Sequence, residues 1–122
     1  GGCETGQAKI TSGYNLSAPY VIHTVGPVWH GGGQNEGALL ASCYRLCCEL
    51  ASANGLHSIA FPAISCGVYG YPPDLAVPIA ISEIRSGLNS DEELKSGSIN
   101  KVIFCCFSES MAIRYRQQLP LG

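Results

Sequence analysis

The chain has 122 residues and a mass of 12.8 kDa, which suits one domain and is too short for two. Apolar residues make up 46% of the sequence and charged residues 13%, and the mean hydropathy is +0.15, so a disordered chain is excluded. The formal net charge is −2 and the seven basic residues are scattered, so we predict neither a nucleic-acid nor a membrane partner. An anionic ligand would have to be held by local dipoles and backbone N–H groups.

The pattern of cysteines predicts where the protein is located and argues against a metal site. Their number is seven, with two adjacent pairs and no CxxC, which favours reduced thiols and a cytosolic protein. The polar stretch from Gly1 to Lys9 does not resemble a signal peptide. Cys105 and Cys106 would point to opposite faces of a strand, while Cys43 and Cys47 share a helical face with leucines. We therefore predict no metal and no cofactor.

The first half of the chain predicts a strand, a loop and a helix. Tyr20–Val25 is rich in β-branched and aromatic residues and predicts a strand, with His23 as a hydrogen-bonded core histidine. The Gly-rich segment His30–Asn35 lacks the GxxxxGKS/T pattern of a P-loop, so it is interpreted as a surface loop. Glu36–Asn54 predicts a helix. Its apolar stripe at i, i+4, i+7, i+8 and i+11 is Leu39, Cys43, Leu46, Cys47 and Leu50.

The second half continues the alternation of strands and helices. Its predicted segments are a buried strand (Ser58–Ile64), a loop (Ser65–Pro72), a helix from Pro72 to Gly87, a surface connection (Asn89–Ser98), a strand (Val102–Phe107) and a helix (Ser110–Leu119). The order β-α-β-α-β-α predicts an α/β fold with a mostly parallel sheet between helices. Ligands of such sheets bind beyond the carboxyl ends of the strands, so the loops after Val25, Ile64 and Phe107 are the candidates.

The loop after the second predicted strand carries the most informative pattern, Ile64 to Pro72. Its two glycines lie three residues apart, which permits tight turns and close approach of a ligand to the backbone. Successive N–H groups in such a turn form an anion-binding concavity, to which the next helix adds its positive end. A diphosphate could be held there without Lys or Arg. On pattern alone, the alternative is an ordinary turn whose glycines serve backbone geometry.

Four stretches of the chain resemble the macro domain family, which binds ADP-ribose: Gly2–Leu16, Tyr20–Val28, Ile59–Pro72 and Val102–Phe107. With the Ala38–Leu50 helix, the resemblance covers nearly the whole chain in order. It is strongest to macro domains that hydrolyse ADP-ribosyl and O-acetyl-ADP-ribose bonds. The resemblance implies a three-layer α/β/α sandwich with a mixed sheet, and it implies that residues 1–122 form a single macro domain.

The resemblance also implies a ligand site for ADP-ribose or its protein-linked and acetylated derivatives. The diphosphate would be wrapped, mainly by backbone N–H groups, by Ser65, Cys66, Gly67, Val68, Tyr69 and Gly70. Tyr71 would lie beside the distal ribose, and Phe107 would stack on adenine. Cys66 stands where relatives more often have Thr, and Ser108 where many have Asp.

The family pattern begins before Gly1, with an acidic adenine contact, an Asn-Ala-Ala-Asn stretch and a Gly-rich loop carrying an Asp. That Asn and Asp are the family's catalytic candidates, so no catalytic residue is assigned in this chain. The resemblance implies that residues 1–122 are the C-terminal two-thirds of the fold, either a fragment or a shortened protein lacking half its site. A sheet without its early strands would expose an edge.

Three functions remain open on this basis. We expect the full-length form to hydrolyse O-acetyl-ADP-ribose or ADP-ribosyl-protein adducts. The alternative is an ADP-ribose-binding module without turnover. The third is a cysteine hydrolase, in which Cys66 would need an activating partner such as His23 or His57.

Overall fold

The computed structural model describes residues 3–12, 20–67, 69–90, 101–105 and 109–118. Its elements in chain order are β1 (Ala8–Ser12), β2 (Tyr20–Thr24), α1 (Glu36–Ala53), β3 (Ser58–Pro62), α2 (Pro73–Ser90), β4 (Lys101–Cys105) and α3 (Glu109–Gln118). From β2 onward strands and helices alternate in the predicted order, so the α/β class is confirmed. None of the described helices combines the length and apolar character that crossing a bilayer requires.

Several predicted boundaries differ from the structure. β3 ends at Pro62, because a proline cannot donate to a continuing ladder. α2 continues past the predicted end at Gly87 to Ser90, so the first residues of the predicted Asn89–Ser98 connection are helical. The remainder of that connection lies outside the described residues, as do five further residues with predicted roles or positions: Val68, Cys106, Phe107, Ser108 and Leu119.

β1 is a strand that the sequence pattern did not predict. It pairs with β2 in antiparallel register, from Ala8 opposite Thr24 to Ser12 opposite Tyr20. Only residues 13–19 separate the two strands, which is too short for a parallel crossover. β1 forms one sheet with β2 among the described residues.

β3 and β4 form the second two-stranded sheet of the described chain. They are parallel, from Ser58 opposite Lys101 to Pro62 opposite Cys105, and α2 lies between them in the sequence as a βαβ crossover. The described strands therefore pair in both directions, which is consistent with the predicted mixed sheet. One pair is parallel, and the other is antiparallel because its connection is short.

The core lies between α1, α2 and β3. Its buried side chains include Leu40, Cys43, Tyr44, Cys47, Phe61, Ala76, Val77, Ala80, Ile81 and Ile84. The rings of Tyr44 and Phe61 meet with centroids 5.0 Å apart at 55°, which joins α1 to β3. Burial raises the pKa of Cys43, and it raises that of Cys47 to about 12, so both thiols are protonated at neutral pH. Their interpretation as small buried side chains is confirmed.

The carboxyl ends of β2 and β3 lie next to each other. A Cβ atom on Gly26, just past β2, would collide with the hydroxyl of Ser65 and come within 2.6 Å of Ile64 Cγ2. The Cys43 thiol contacts the Val25 carbonyl oxygen at 3.4 Å, which ties the end of β2 to α1. The fold thus brings together the loops that follow Val25 and Ile64, as predicted.

Candidate ligand-binding site

The candidate site is the loop between β3 and α2. Its described members are Ser65, Cys66, Gly67, Tyr69, Gly70 and Tyr71. The loop closes on itself through three backbone hydrogen bonds. Cys66 N–H donates to Ala63 O at 3.3 Å, Gly70 N–H donates to Gly67 O at 3.0 Å, and Tyr71 N–H donates to Ser65 O at 2.9 Å. The turn from Gly67 to Gly70 therefore lies inside the wider closure from Ser65 to Tyr71, and the turn from Ala63 to Cys66 overlaps the start of that closure.

These hydrogen bonds divide the backbone N–H groups of the loop into two sets. Those of Cys66, Gly70 and Tyr71 already donate to backbone carbonyl oxygens. Within the described part of the chain, no acceptor is found for the N–H groups of Ser65, Gly67 and Tyr69. Gly67 and Tyr69 are exposed and Ser65 is only partly so, which makes the N–H groups of Gly67 and Tyr69 the candidate donors to an anion.

Glycine is suited to positions 67 and 70 for different structural reasons. Gly70 has a φ of +74°, a left-handed conformation that favours glycine. Gly67 has no such requirement, but no atom lies within 4 Å of the position that its Cβ would occupy. The same is true at Gly70, so open space borders the loop at both glycines.

Ser65 points its side chain into the protein. Its φ of 66° lies in the left-handed region, which costs a non-glycine residue on the order of 1 kcal/mol. Its hydroxyl oxygen is buried and has no hydrogen-bond partner among the described residues. Because this oxygen packs against the backbone of Gly26, the side chain is not presented to a ligand.

Trp29 supports the loop from the side of β2. Its N–H donates to the carbonyl oxygen of Tyr69 at 2.9 Å, and its ring meets the ring of Tyr71 with centroids 4.7 Å apart at 52°. Tyr69 is 39% exposed, whereas Tyr71 is only 2% exposed. The predicted contact of Tyr71 with a ribose stays a prediction, and its burial favours a supporting role beneath the loop.

Glu36 is a buried carboxylate whose importance the sequence pattern did not predict. It begins α1 and is 1% exposed. Its Oε2 accepts hydrogen bonds from the N–H groups of His30 (2.8 Å) and Gly32 (3.0 Å), and its Oε1 accepts one from that of Gln34 (2.6 Å). The signal available in the sequence was a Gly-rich loop followed at once by an acidic residue at a helix start.

These hydrogen bonds keep Glu36 ionised. Burial alone raises the pKa of its carboxyl group, but the surrounding backbone N–H groups outweigh that effect and lower the pKa from 4.5 to about 2. Residues 30–35, which the sequence predicted to be a surface loop, are thus exposed to solvent, and their backbone also donates hydrogen bonds to the buried carboxylate of Glu36.

The thiol chemistry does not favour a cysteine nucleophile. Cys66 is half-buried, and burial raises the pKa of its thiol although the charge of Arg114 acts in the opposite direction. His23 is not a core histidine: it is exposed on β2, and its Nε2 lies 3.0 Å from Thr11 Oγ1 on β1. Among the described residues, no group of three or more His, Cys, Asp or Glu side chains could hold a metal ion.

Comparison with known proteins places the chain in a family. Residues 1–80 match the sequence profile of the Macro domain family. The chain is 54% identical over 122 residues to a macro domain-containing protein of Chlorobaculum tepidum, covering 100% of this chain and 68% of that protein. The chain belongs to the macro domain family.

Two further relatives carry names or ligands that bear on function. An O-acetyl-ADP-ribose deacetylase of Klebsiella pneumoniae is 46% identical over 119 residues, which are 98% of this chain and 65% of that enzyme. A crystal structure of the Trypanosoma brucei macrodomain in complex with ADP-ribose matches with a TM-score of 0.82 and 42% identity, covering 95% of this chain and 46% of that one. The macrodomain fold is therefore confirmed, and the chain spans only part of the length of these relatives.

Proposed function

We propose that the chain binds ADP-ribose, with the diphosphate against the loop after β3 and the N–H groups of Gly67 and Tyr69 as donors. The observation that carries the proposal is the division within this loop, where these two groups lack an acceptor among the described residues and open space borders Gly67. A hydrogen bond to a charged group contributes about 1.5–3 kcal/mol. The complex of the Trypanosoma brucei relative with ADP-ribose supports the choice of ligand.

The N-terminus of α2 contributes less to binding of the diphosphate than a helix N-terminus with free N–H groups would. Pro73 has no N–H group, and the N–H groups of Leu75 and Ala76 already donate to the Pro72 carbonyl oxygen at 3.0 Å. Asp74 adds a negative charge to this first turn, and Arg114 Nε binds it at 2.6 Å. We therefore assign the diphosphate to the loop N–H groups rather than to the helix end.

For the whole protein, we propose hydrolysis of O-acetyl-ADP-ribose or of ADP-ribosyl-protein adducts. The similarity to a protein named O-acetyl-ADP-ribose deacetylase supports this reaction class. The raised pKa of Cys66 favours a mechanism in which water, rather than this thiol, attacks. The alternative is binding without turnover. The proposal includes residues 1–122 as the C-terminal two-thirds of one macro domain in a cytosolic protein.

The binding proposal is tested by calorimetric titration with ADP-ribose. Gly67→Glu places a negative side chain in the open space beside the candidate donors. We expect its affinity to fall by roughly a hundredfold, because losing two charge-assisted hydrogen bonds costs about 3 kcal/mol. Ser86→Glu, which adds the same charge at an exposed position of α2, is the control and should bind like the wild type. Equal affinities for all three proteins would remove the assigned role of the loop.

The catalytic proposal is tested by incubation with O-acetyl-ADP-ribose. We expect no product from residues 1–122, and turnover by a longer polypeptide that supplies the family's Asn and Asp. Undiminished turnover by residues 1–122 would refute the assignment of catalysis to those groups. Binding by the longer polypeptide without turnover would support the non-catalytic alternative.

A further inference from the structure

We propose that Glu36 is a positioning residue for the ligand loop: its carboxylate fixes residues 30–35, and through them holds Trp29 against Tyr69 and Tyr71. The inference rests on the proposed function, because it concerns how the loop that binds ADP-ribose keeps its shape. Three steps connect the carboxylate to that loop.

The first step is that the carboxylate organises a segment with little structure of its own. Gly31, Gly32 and Asn35 all have left-handed φ values, of 92°, 94° and 65°. Asn35, at the N-cap of α1, makes no side-chain capping hydrogen bond. What turns the N–H groups of this segment inward is the Glu36 carboxylate, which accepts three of them between 2.6 and 3.0 Å. Charge-assisted hydrogen bonds of this kind are about twice as strong as neutral ones.

The second step is that residues 30–35 fix the position of Trp29. The His30 N–H that binds Glu36 follows directly on Trp29, so the carboxylate fixes the peptide unit at the carboxyl side of the tryptophan. Gly32 lies on the indole ring, since a Cβ there would come within 3.2 Å of Trp29 Cη2. Both the backbone and the ring of Trp29 are therefore set by the segment that Glu36 holds.

The third step leads from Trp29 to the ligand loop. The Trp29 N–H donates to the Tyr69 carbonyl oxygen, whose residue carries a candidate donor N–H, and the indole packs against the Tyr71 ring. The hydroxyl of Tyr71 lies close to the start of α1, because a Cβ on Gly37 would be 3.8 Å from it. The charge of Glu36 also contributes to the raised pKa of Tyr71, after burial. Disorder around Glu36 would thus affect the loop through the two contacts of Trp29, with the Tyr69 carbonyl oxygen and with the Tyr71 ring.

The test uses Glu36→Gln, with Glu49→Gln as the matched control on an exposed position of the same helix. The neutral amide replaces one carboxylate oxygen by an NH₂ group, which cannot accept a hydrogen bond. Some of the backbone N–H groups that bind Glu36 therefore lose their acceptor. We expect ADP-ribose affinity to fall roughly tenfold in Glu36→Gln, equal to about 1.4 kcal/mol, and to stay unchanged in Glu49→Gln. Titrations are made at a temperature where circular dichroism shows both variants to be folded.

Trp29 provides an independent readout, because it is the only tryptophan in the sequence. Its fluorescence emission should shift to longer wavelength in Glu36→Gln, as the indole becomes more exposed, and should be unchanged in Glu49→Gln. A folded Glu36→Gln protein with wild-type affinity would overturn the positioning role while leaving the proposed function intact. Wild-type protein that fails to bind ADP-ribose would overturn the proposed function, and this inference with it.

Hydrogen exchange on the wild-type protein decides the matter even where Glu36→Gln does not fold. Coupling between two sites is reciprocal, so ligand binding must stabilise the segment if the segment favours binding. We expect saturating ADP-ribose to slow exchange of the N–H groups of His30, Gly32 and Gln34. The N–H of Asn54, bonded to Leu50 O at the far end of α1, should be unaffected. Unchanged exchange at the three N–H groups would contradict the proposal.

Discussion

The two glycine-rich loops of this chain solve the same electrostatic problem in different ways. In residues 30–35, three backbone N–H groups donate to the carboxylate of Glu36 at the start of the next helix, so the protein itself supplies the anion. Residues 65–71 close through backbone carbonyls and leave the N–H groups of the exposed residues Gly67 and Tyr69 without an acceptor in the described chain. Glycines before a helix therefore do not identify an anion site. What distinguishes the two loops is whether an acidic residue at the helix start reaches back.

Tyr71 and Tyr69 separate the supporting face of the second loop from its open face. Tyr71→Ala should destabilise the protein by about 3–5 kcal/mol, because it removes a buried aromatic side chain and its contact with Trp29. Tyr69→Ala should cost no more than about 1 kcal/mol, since 39% of that residue is already exposed and its backbone hydrogen bond remains. Urea unfolding measures both. A smaller loss for Tyr71→Ala than for Tyr69→Ala would reverse the assignment of the two faces.

Gly26 tests the junction that places the second loop beside the first. Gly26→Ala should destabilise by about 1–3 kcal/mol, because its Cβ would overlap Ser65 and Ile64. Gly33→Ala is the control, since its Cβ would enter open space, and it should change stability by less than about 0.5 kcal/mol. Thermal and urea unfolding of the two variants provide the comparison. Equal stabilities would mean that β2 and β3 do not approach as closely as described.

Low pH should disrupt the hydrogen bonds between residues 30–35 and Glu36, and it should leave the turns of residues 65–71 intact. The pKa of Glu36 falls from 4.5 to about 2 on folding, so its stabilising contribution is complete above pH 4.5 and is lost as pH falls towards 2. Wild-type stability should therefore decline over this range more steeply than that of Glu36→Gln, while Glu49→Gln should follow the wild type. Unfolding midpoints measured between pH 7 and pH 2 give these slopes. Parallel slopes for wild type and Glu36→Gln would contradict the ionised, hydrogen-bonded state of Glu36.

The alternating fold was predictable because its helices have strong apolar periodicity and its inner strands are short apolar runs. β1 was missed because its apolar positions are few: Ala8 and Ile10 alternate with exposed Lys9 and Thr11. Its antiparallel partner β2 carries His23 on an exposed face, opposite Lys9 and within hydrogen-bond distance of the diagonal Thr11, so the mid-strand position of His23 did not mean burial.

The site was only partly predictable, for a different physical reason. Glycine spacing and the resemblance to the macro domain family identified the loop after β3. Which N–H groups remain open depends on the left-handed Ser65 and on the closure from Tyr71 to Ser65, and neither is encoded in spacing. The burial of Glu36 likewise depends on the folded path of residues 30–35, because a glutamate at a helix start is ordinarily exposed.

The most direct test of the central claim is an amide ¹H–¹⁵N titration of the chain with ADP-ribose. The account predicts large downfield proton shifts at Gly67 and Tyr69, whose N–H groups would exchange water for a phosphate oxygen. Smaller changes are expected at Cys66, Gly70 and Tyr71, which keep their carbonyl partners. Large shifts confined to those three, with Gly67 and Tyr69 unmoved, would contradict it.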